Sequence, residues 1–97
     1  MKANYSICIP KLSNTITEST ICSLITNTNF CTILNYKEIP WKNSTLFKRV
    51  LMYIKWNQEH EQYTVLQEQL NHGKSIKIID FPNVYYIFKY KKGSKGT

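Results

Sequence analysis

Phe47-Lys48-Arg49-Val50-Leu51-Met52-Tyr53-Ile54-Lys55-Trp56 is the stretch on which the fold turns. It is rich in β-branched and aromatic residues and alternates with a period of two. Val50, Met52, Ile54 and Trp56 therefore fall on one side of a strand, and Arg49, Leu51, Tyr53 and Lys55 on the other. The first set predicts core; the second is left for function.

Outward from this strand, Tyr5-Ser6-Ile7-Cys8-Ile9-Pro10 alternates in the same way, with Tyr5, Ile7 and Ile9 on one face and Ser6, Cys8 and Pro10 on the other. Thr17 can cap a helix, Glu18 suits its positive end, and Ile16 can staple onto Ile21. Ile21, Leu24 and Ile25 recur at helical spacing, and Thr26-Asn27-Thr28-Asn29 ends the helix. Residues from about Cys31 to Ile39 read as a second strand at a sheet edge, but the alternation of Ile33, Asn35 and Lys37 against Leu34, Tyr36 and Glu38 does not decide which face is buried. Pro40 to Ser44 is a loop, in which Trp41 either folds back onto the core or stands out as an anchor.

After the central strand, Asn57 can cap a second helix with Glu59 and Glu61 in its first turn, Tyr63, Leu66 and Leu70 as its inward stripe and Gly73 as its stop. Ser75 to Ile79 is a short strand, Asp80-Phe81-Pro82-Asn83 a turn, and Val84 to about Lys91 the last strand. The predicted fold class is α+β, a ferredoxin-like βαββαβ arrangement with a four-stranded antiparallel sheet and two helices on one face. Residues 1–91 form the single domain and 92–97 a flexible basic tail.

The 97 residues suffice for one core without disulfides or metal, at 42% hydrophobic and 13% aromatic composition. No apolar run is long enough to cross a bilayer, and the first residues lack a signal-peptide pattern, so a reducing compartment is expected. Cys8, Cys22 and Cys31 match no metal or redox spacing and are read as structural thiols, and the sequons at Asn4 and Asn43 as coincidental. His60 and His72 lack converging acids or thiols and are expected to be solvated or capping. No nucleophile motif, glycine-rich phosphate loop or paired carboxylates appear, so catalysis is not expected, nor a cofactor or metal. The net charge of +7, from twelve lysines and Arg49, fits an anionic partner. Isoleucine, asparagine, lysine and tyrosine all have A/T-rich codons, so the lysine excess also fits a biased genome.

Arg49 to Trp56 resembles the aromatic octamer on the third strand of RNA recognition motifs, and Ile7-Cys8-Ile9-Pro10-Lys11-Leu12 the hexamer on their first strand. More closely, Tyr5 to Leu12, Phe47 to Asn57 and Leu70 to Ile78 resemble short RNA-recognition-like proteins of giant nucleocytoplasmic DNA viruses. In that family, bases of single strands stack on exposed rings while basic residues meet phosphates. Here Tyr53 matches one ring position, whereas Leu51 and Cys8 stand where two others would be.

The resemblance implies a non-enzymatic module that binds single-stranded RNA, or other nucleic acid, through its open face. The expected site is Arg49, Leu51, Tyr53, Lys55, Lys77, Tyr85, Lys89 and Lys91, the last strand contributing Tyr85, Ile87, Lys89 and Lys91 if Tyr86 and Phe88 point inward. The alternative is a protein-interaction or structural module, with a viral protein partner docking on the same face or an edge strand. Either would act inside the host, in the cytoplasm or virus factory or packaged in the virion, and neither involves a membrane.

Overall fold

The central strand reads as its alternation predicts. In a computed structural model, which describes residues 5–90, β3 (Phe47–Trp56) buries Val50, Met52, Ile54 and Trp56 and leaves Arg49, Tyr53 and Lys55 exposed. Antiparallel to it on one side lies β1 (Tyr5–Ser13), which contributes Ile7, Ile9 and Leu12 to the core. Its register slips between Ile9 and Leu12, so both can face inward. On the other side of β3 lies β2 (Cys31–Pro40), at an edge of the sheet.

α1 (Glu18–Thr28) begins where its cap predicts: the Thr17 hydroxyl accepts from the Thr20 amide at 3.2 Å, and Ile21 and Ile25 are buried. It ends at Asn29, which takes the left-handed conformation and whose N–H bonds the Thr26 carbonyl. α2 (Tyr63–Asn71) starts later than expected. Asn57 does not cap it; its amide donates to the Asn29 carbonyl and its Oδ1 accepts from the Glu59 N–H, closing a turn instead. Glu59 and Glu61 therefore precede the helix rather than occupying its first turn. His60 does the local work, its Nδ1 accepting from the Gln62 N–H and its carbonyl from the Tyr63 N–H. Gly73, at φ 83°, supplies the expected stop.

The remaining strands correct the predicted count: β4 (Ile76–Asp80) and β5 (Asn83–Lys89) form a hairpin, so the antiparallel sheet has five strands, in the order β2-β3-β1-β5-β4, rather than four. β5 takes the place beside β1 that a ferredoxin-like arrangement requires of its last strand, and β4 is added outside it. Ile21 and Ile25 of α1 and Leu70 of α2 join the same core as Ile7, Ile9, Met52 and Ile54, so both helices cover one face of the sheet. At one end of that core Trp56 packs among the rings of Tyr5, Phe30 and Tyr63, with centroids 5.3 to 5.8 Å apart. Trp41 folds back, its ring 5.3 Å from that of Phe47 and its Nε1 donating to the Pro10 carbonyl.

Candidate nucleic-acid interface

Residues paired directly across antiparallel strands share a face, so register identifies what the helix-free side presents. Tyr53 faces Ser6 on β1 and Asn35 on β2; Leu51 faces Cys8 and Lys37; Arg49 faces Ile39 and Lys55 faces Thr32. Cys8 in turn faces Phe88 on β5, and the Tyr90 N–H donates to the Ser6 carbonyl at 2.9 Å. Two rows thus run across the sheet: Asn35, Tyr53, Ser6 and Tyr90, then Lys37, Leu51, Cys8 and Phe88.

Asn35 and Lys37 reach this face through an irregularity. Ile33 pairs with Ile54 and faces the core, so strict alternation would bury Asn35 as well. The register instead slips between Ile33 and Asn35, Leu34 is left as an exposed extra residue, and Asn35 lies opposite Tyr53. Tyr36 and Glu38 then turn inward, where Glu38 meets Lys48 at 2.8 Å. The alternation could not assign a face because it changes phase within the strand.

The last strand also corrects the expected site. Ile76 pairs with Ile87, Lys77 with Tyr86, Ile78 with Tyr85 and Ile79 with Val84. Burial of Ile76, Ile78, Tyr85 and Ile87 forms one apolar patch, whereas the opposite phase would bury the Lys77 ammonium. Tyr85 is therefore a core residue and does not lie on the open face. Lys89, in phase with Ile87, lies on the helix side, its Nζ 3.0 Å from Asn71 Oδ1 and 5.3 Å from the centre of the Tyr5 ring. Lys91 and the tail lie outside the described residues. Arg49, Leu51, Tyr53, Lys55 and Lys77 occupy the open face as expected, and Tyr86, Phe88 and Tyr90 replace Tyr85 and Lys89 there.

Two of these rings are well exposed, Tyr53 at 43% and Tyr86 at 47%. Cys8, though it points to the open side, is only 8% exposed. Its burial pushes the thiol pKa up, against a smaller opposing pull from the Arg49 charge. Lys37, Arg49, Lys55 and Lys77 supply four positive charges, and no carboxylate occupies an outward strand position of this face among the described residues. Between the rows lies a cleft of about 330 Å³ lined by Ser6, Asn35, Lys37, Leu51, Tyr53 and Tyr90. An apolar floor with aromatic and polar walls can hold a flat, polar-edged group.

Among the described residues no three His, Cys, Asp or Glu side chains converge as metal ligands, and no helix is long and apolar enough to cross a membrane. Asn35, Lys37, Tyr86, Phe88 and Tyr90 are the open-face residues that sequence reasoning missed. The pairing of Lys77 with Tyr86 across the short turn was the signal available for the β5 set. Comparison with models of protein families, with curated proteins and with solved structures found no match to this chain.

Proposed function

We propose that the open face binds single-stranded nucleic acid, RNA foremost, as a non-catalytic module of the RNA-recognition-motif type whose aromatic set has moved from β1 to β5. The observation that carries this reading is the composition of the face: Tyr53, Tyr86, Phe88 and Tyr90 interleaved with Lys37, Arg49, Lys55 and Lys77, without an outward carboxylate. Rings accept unstacked bases at roughly 1–3 kcal/mol each, and the cations meet phosphates. An open sheet is also better suited to a splayed single strand than to the deep, narrow major groove of duplex RNA.

The test is fluorescence anisotropy with a labelled A/U-rich single-stranded RNA, against duplex RNA and single-stranded DNA. Single-stranded RNA is expected to bind best, with log K falling against log salt at a slope of about −0.7 per phosphate contact, near −3 for four cations. Replacing Tyr53 and Tyr86 by Ala is expected to weaken binding at least about tenfold with the thermal midpoint unchanged. Equal, weak binding to every polyanion overturns the reading.

A second reading has its own observation. At the tip of the β4–β5 hairpin Phe81 is 90% exposed and Ile79 64%, an apolar projection with no role in the core. Such a projection suits docking of a protein partner. Phe81→Ser that abolishes a stable complex while leaving RNA binding intact favours that reading; loss of RNA binding assigns the tip to the nucleic-acid path.

A further inference from the structure

The rings of the open face are not spread evenly over it. Tyr86, Phe88 and Tyr90 take alternate positions on β5 and at the residue just beyond it, so they stand in a column along one strand. Of the rows that cross the sheet, one holds Tyr53 and Tyr90 with Ser6 between them, and the next holds Phe88 as its one ring, beside Cys8 and Leu51. Tyr86 lies opposite Lys77. A nucleic-acid strand laid along a row therefore meets at most two rings, whereas one that follows β5 meets three. Each further stack is worth roughly fivefold or more in affinity.

The spacing of the column favours the same course. Successive outward residues of a strand are about 6.7 Å apart, roughly twice the 3.4 Å rise of stacked bases. A base of an unstacked strand can thus enter between one ring and the next with a face toward each, first between Tyr86 and Phe88 and then between Phe88 and Tyr90.

The floor beside the column is low, because the neighbouring β1 presents Ser6 and Cys8 there, the first small and the second nearly buried. Across this trough β3 carries Arg49 and Lys55, and β2 carries Lys37. Arg49 stands near enough to Cys8, the partner of Phe88, for its charge to act on the thiol. Three rings thus stand on one side of the trough and three of the four cations on the other. A strand with its bases toward β5 and its phosphates toward β3 meets both sets at once.

We infer that a single strand of RNA runs lengthwise along β5, in the trough over β1, rather than across the strands. Its bases enter between Tyr86, Phe88 and Tyr90, and its phosphates face Arg49 and Lys37. The inference rests on the single-stranded nucleic-acid reading and adds to it the course of the ligand and a base slot between each pair of neighbouring rings.

The test uses the intact chain and a short oligouridine bearing two adjacent 5-iodouracils, irradiated in the complex, with doubly crosslinked products mapped to residues by mass spectrometry. Two adjacent labels report the course whatever register the homopolymer takes. Both crosslinks are expected on neighbouring rings of the column, Tyr86 with Phe88 or Phe88 with Tyr90. Tyr86→Ala is expected to weaken binding of the unlabelled oligomer at least roughly fivefold, with the thermal midpoint unchanged because Tyr86 is exposed. Crosslinks that pair Tyr53 with a β5 ring, or a Tyr86→Ala variant that binds as the parent does, overturn the lengthwise course while leaving the general reading standing. Failure of the parent to bind this or any other single strand overturns both.

Discussion

Cys8 and Phe88 face one another across β1 and β5, and the thiol is nearly buried although it points to the helix-free side of the sheet. The ring of the last strand thus lies beside the position where the RNA-recognition-motif resemblance would put a first-strand ring. Phe88→Ala is expected to raise the rate of Cys8 alkylation by a thiol reagent at least several-fold and to weaken RNA binding by about 1 kcal/mol or more. Peptide mapping of the alkylated chain reads the first effect separately from Cys22, which is half-buried on α1, and from Cys31, which burial pushes up to about 12. An unchanged Cys8 rate shows that Phe88 does not cover it.

Lys48 is 5% exposed, and its Nζ meets Glu38 Oε2 at 2.8 Å and the Ile16 carbonyl at 2.6 Å. The two partners are unequally buried, since the Glu38 side chain is much more open to water. Removing one should therefore cost more than removing the other. Glu38→Ala strands a buried ammonium and is expected to cost about 2–3 kcal/mol in urea unfolding. Lys48→Met keeps much of the volume, frees a solvated carboxylate and is expected to cost under about 1.5 kcal/mol. The reverse order refutes the asymmetry.

The same pair sets the acid limb of stability. The hydrogen bond from Lys48 holds the Glu38 carboxyl below its ordinary value of 4.5, helped by that from the Tyr36 hydroxyl and opposed by burial. A depressed folded pKa means a contribution fully present above the unfolded value and lost as pH falls through the folded one. Glu38→Gln should flatten the dependence below about pH 4.5. On the alkaline side burial raises Tyr5 from 10.0 to about 12. Its contribution is present below pH 10 and lost as pH rises toward 12, so Tyr5→Phe should flatten part of that limb. Unfolding free energies across both ranges check the signs.

Much of the fold was legible because its apolar residues keep strict period wherever the elements are regular. β3 and the first half of β1 alternate without interruption, and Ile21, Leu24 and Ile25 mark one stripe of α1. Where the reading stopped, a local device breaks the period or a hydrogen bond outcompetes a cap. The extra Leu34 changes the phase of β2, and Asn57 bonds Asn29 and Glu59 instead of capping α2. The face of β5 is different in kind. Both of its sets are apolar enough to be buried, so its own alternation is mute, and the decision is made by Lys77 on the neighbouring strand. Five of the eight residues expected on the open face therefore lie there, namely those on β3 and the lysine on β4, whereas Tyr85 and Lys89 lie on the other side. Asn35 and Lys37 were invisible for the same reason as the phase of β2.

That phase can be tested by deletion. Leu34 is the residue that β3 leaves without a partner, Ile33 pairing with Ile54 and Asn35 with Tyr53. Excising Leu34 joins two residues that already face opposite sides, as successive residues of a regular strand do. The shortened β2 should keep Ile33, Tyr36 and Glu38 inward and Asn35 and Lys37 outward, and its thermal midpoint should fall by less than about 5 °C, corresponding to roughly 1 kcal/mol. Excising Lys37 has the opposite logic. It moves Glu38 out of phase, separates it from Lys48 and reverses the remainder of the strand, at an expected cost of at least about 2 kcal/mol. Thermal unfolding of the two one-residue deletions side by side measures the difference. Equal losses, or a larger loss on removing Leu34, would mean that the bulge is itself required for the strand to pair.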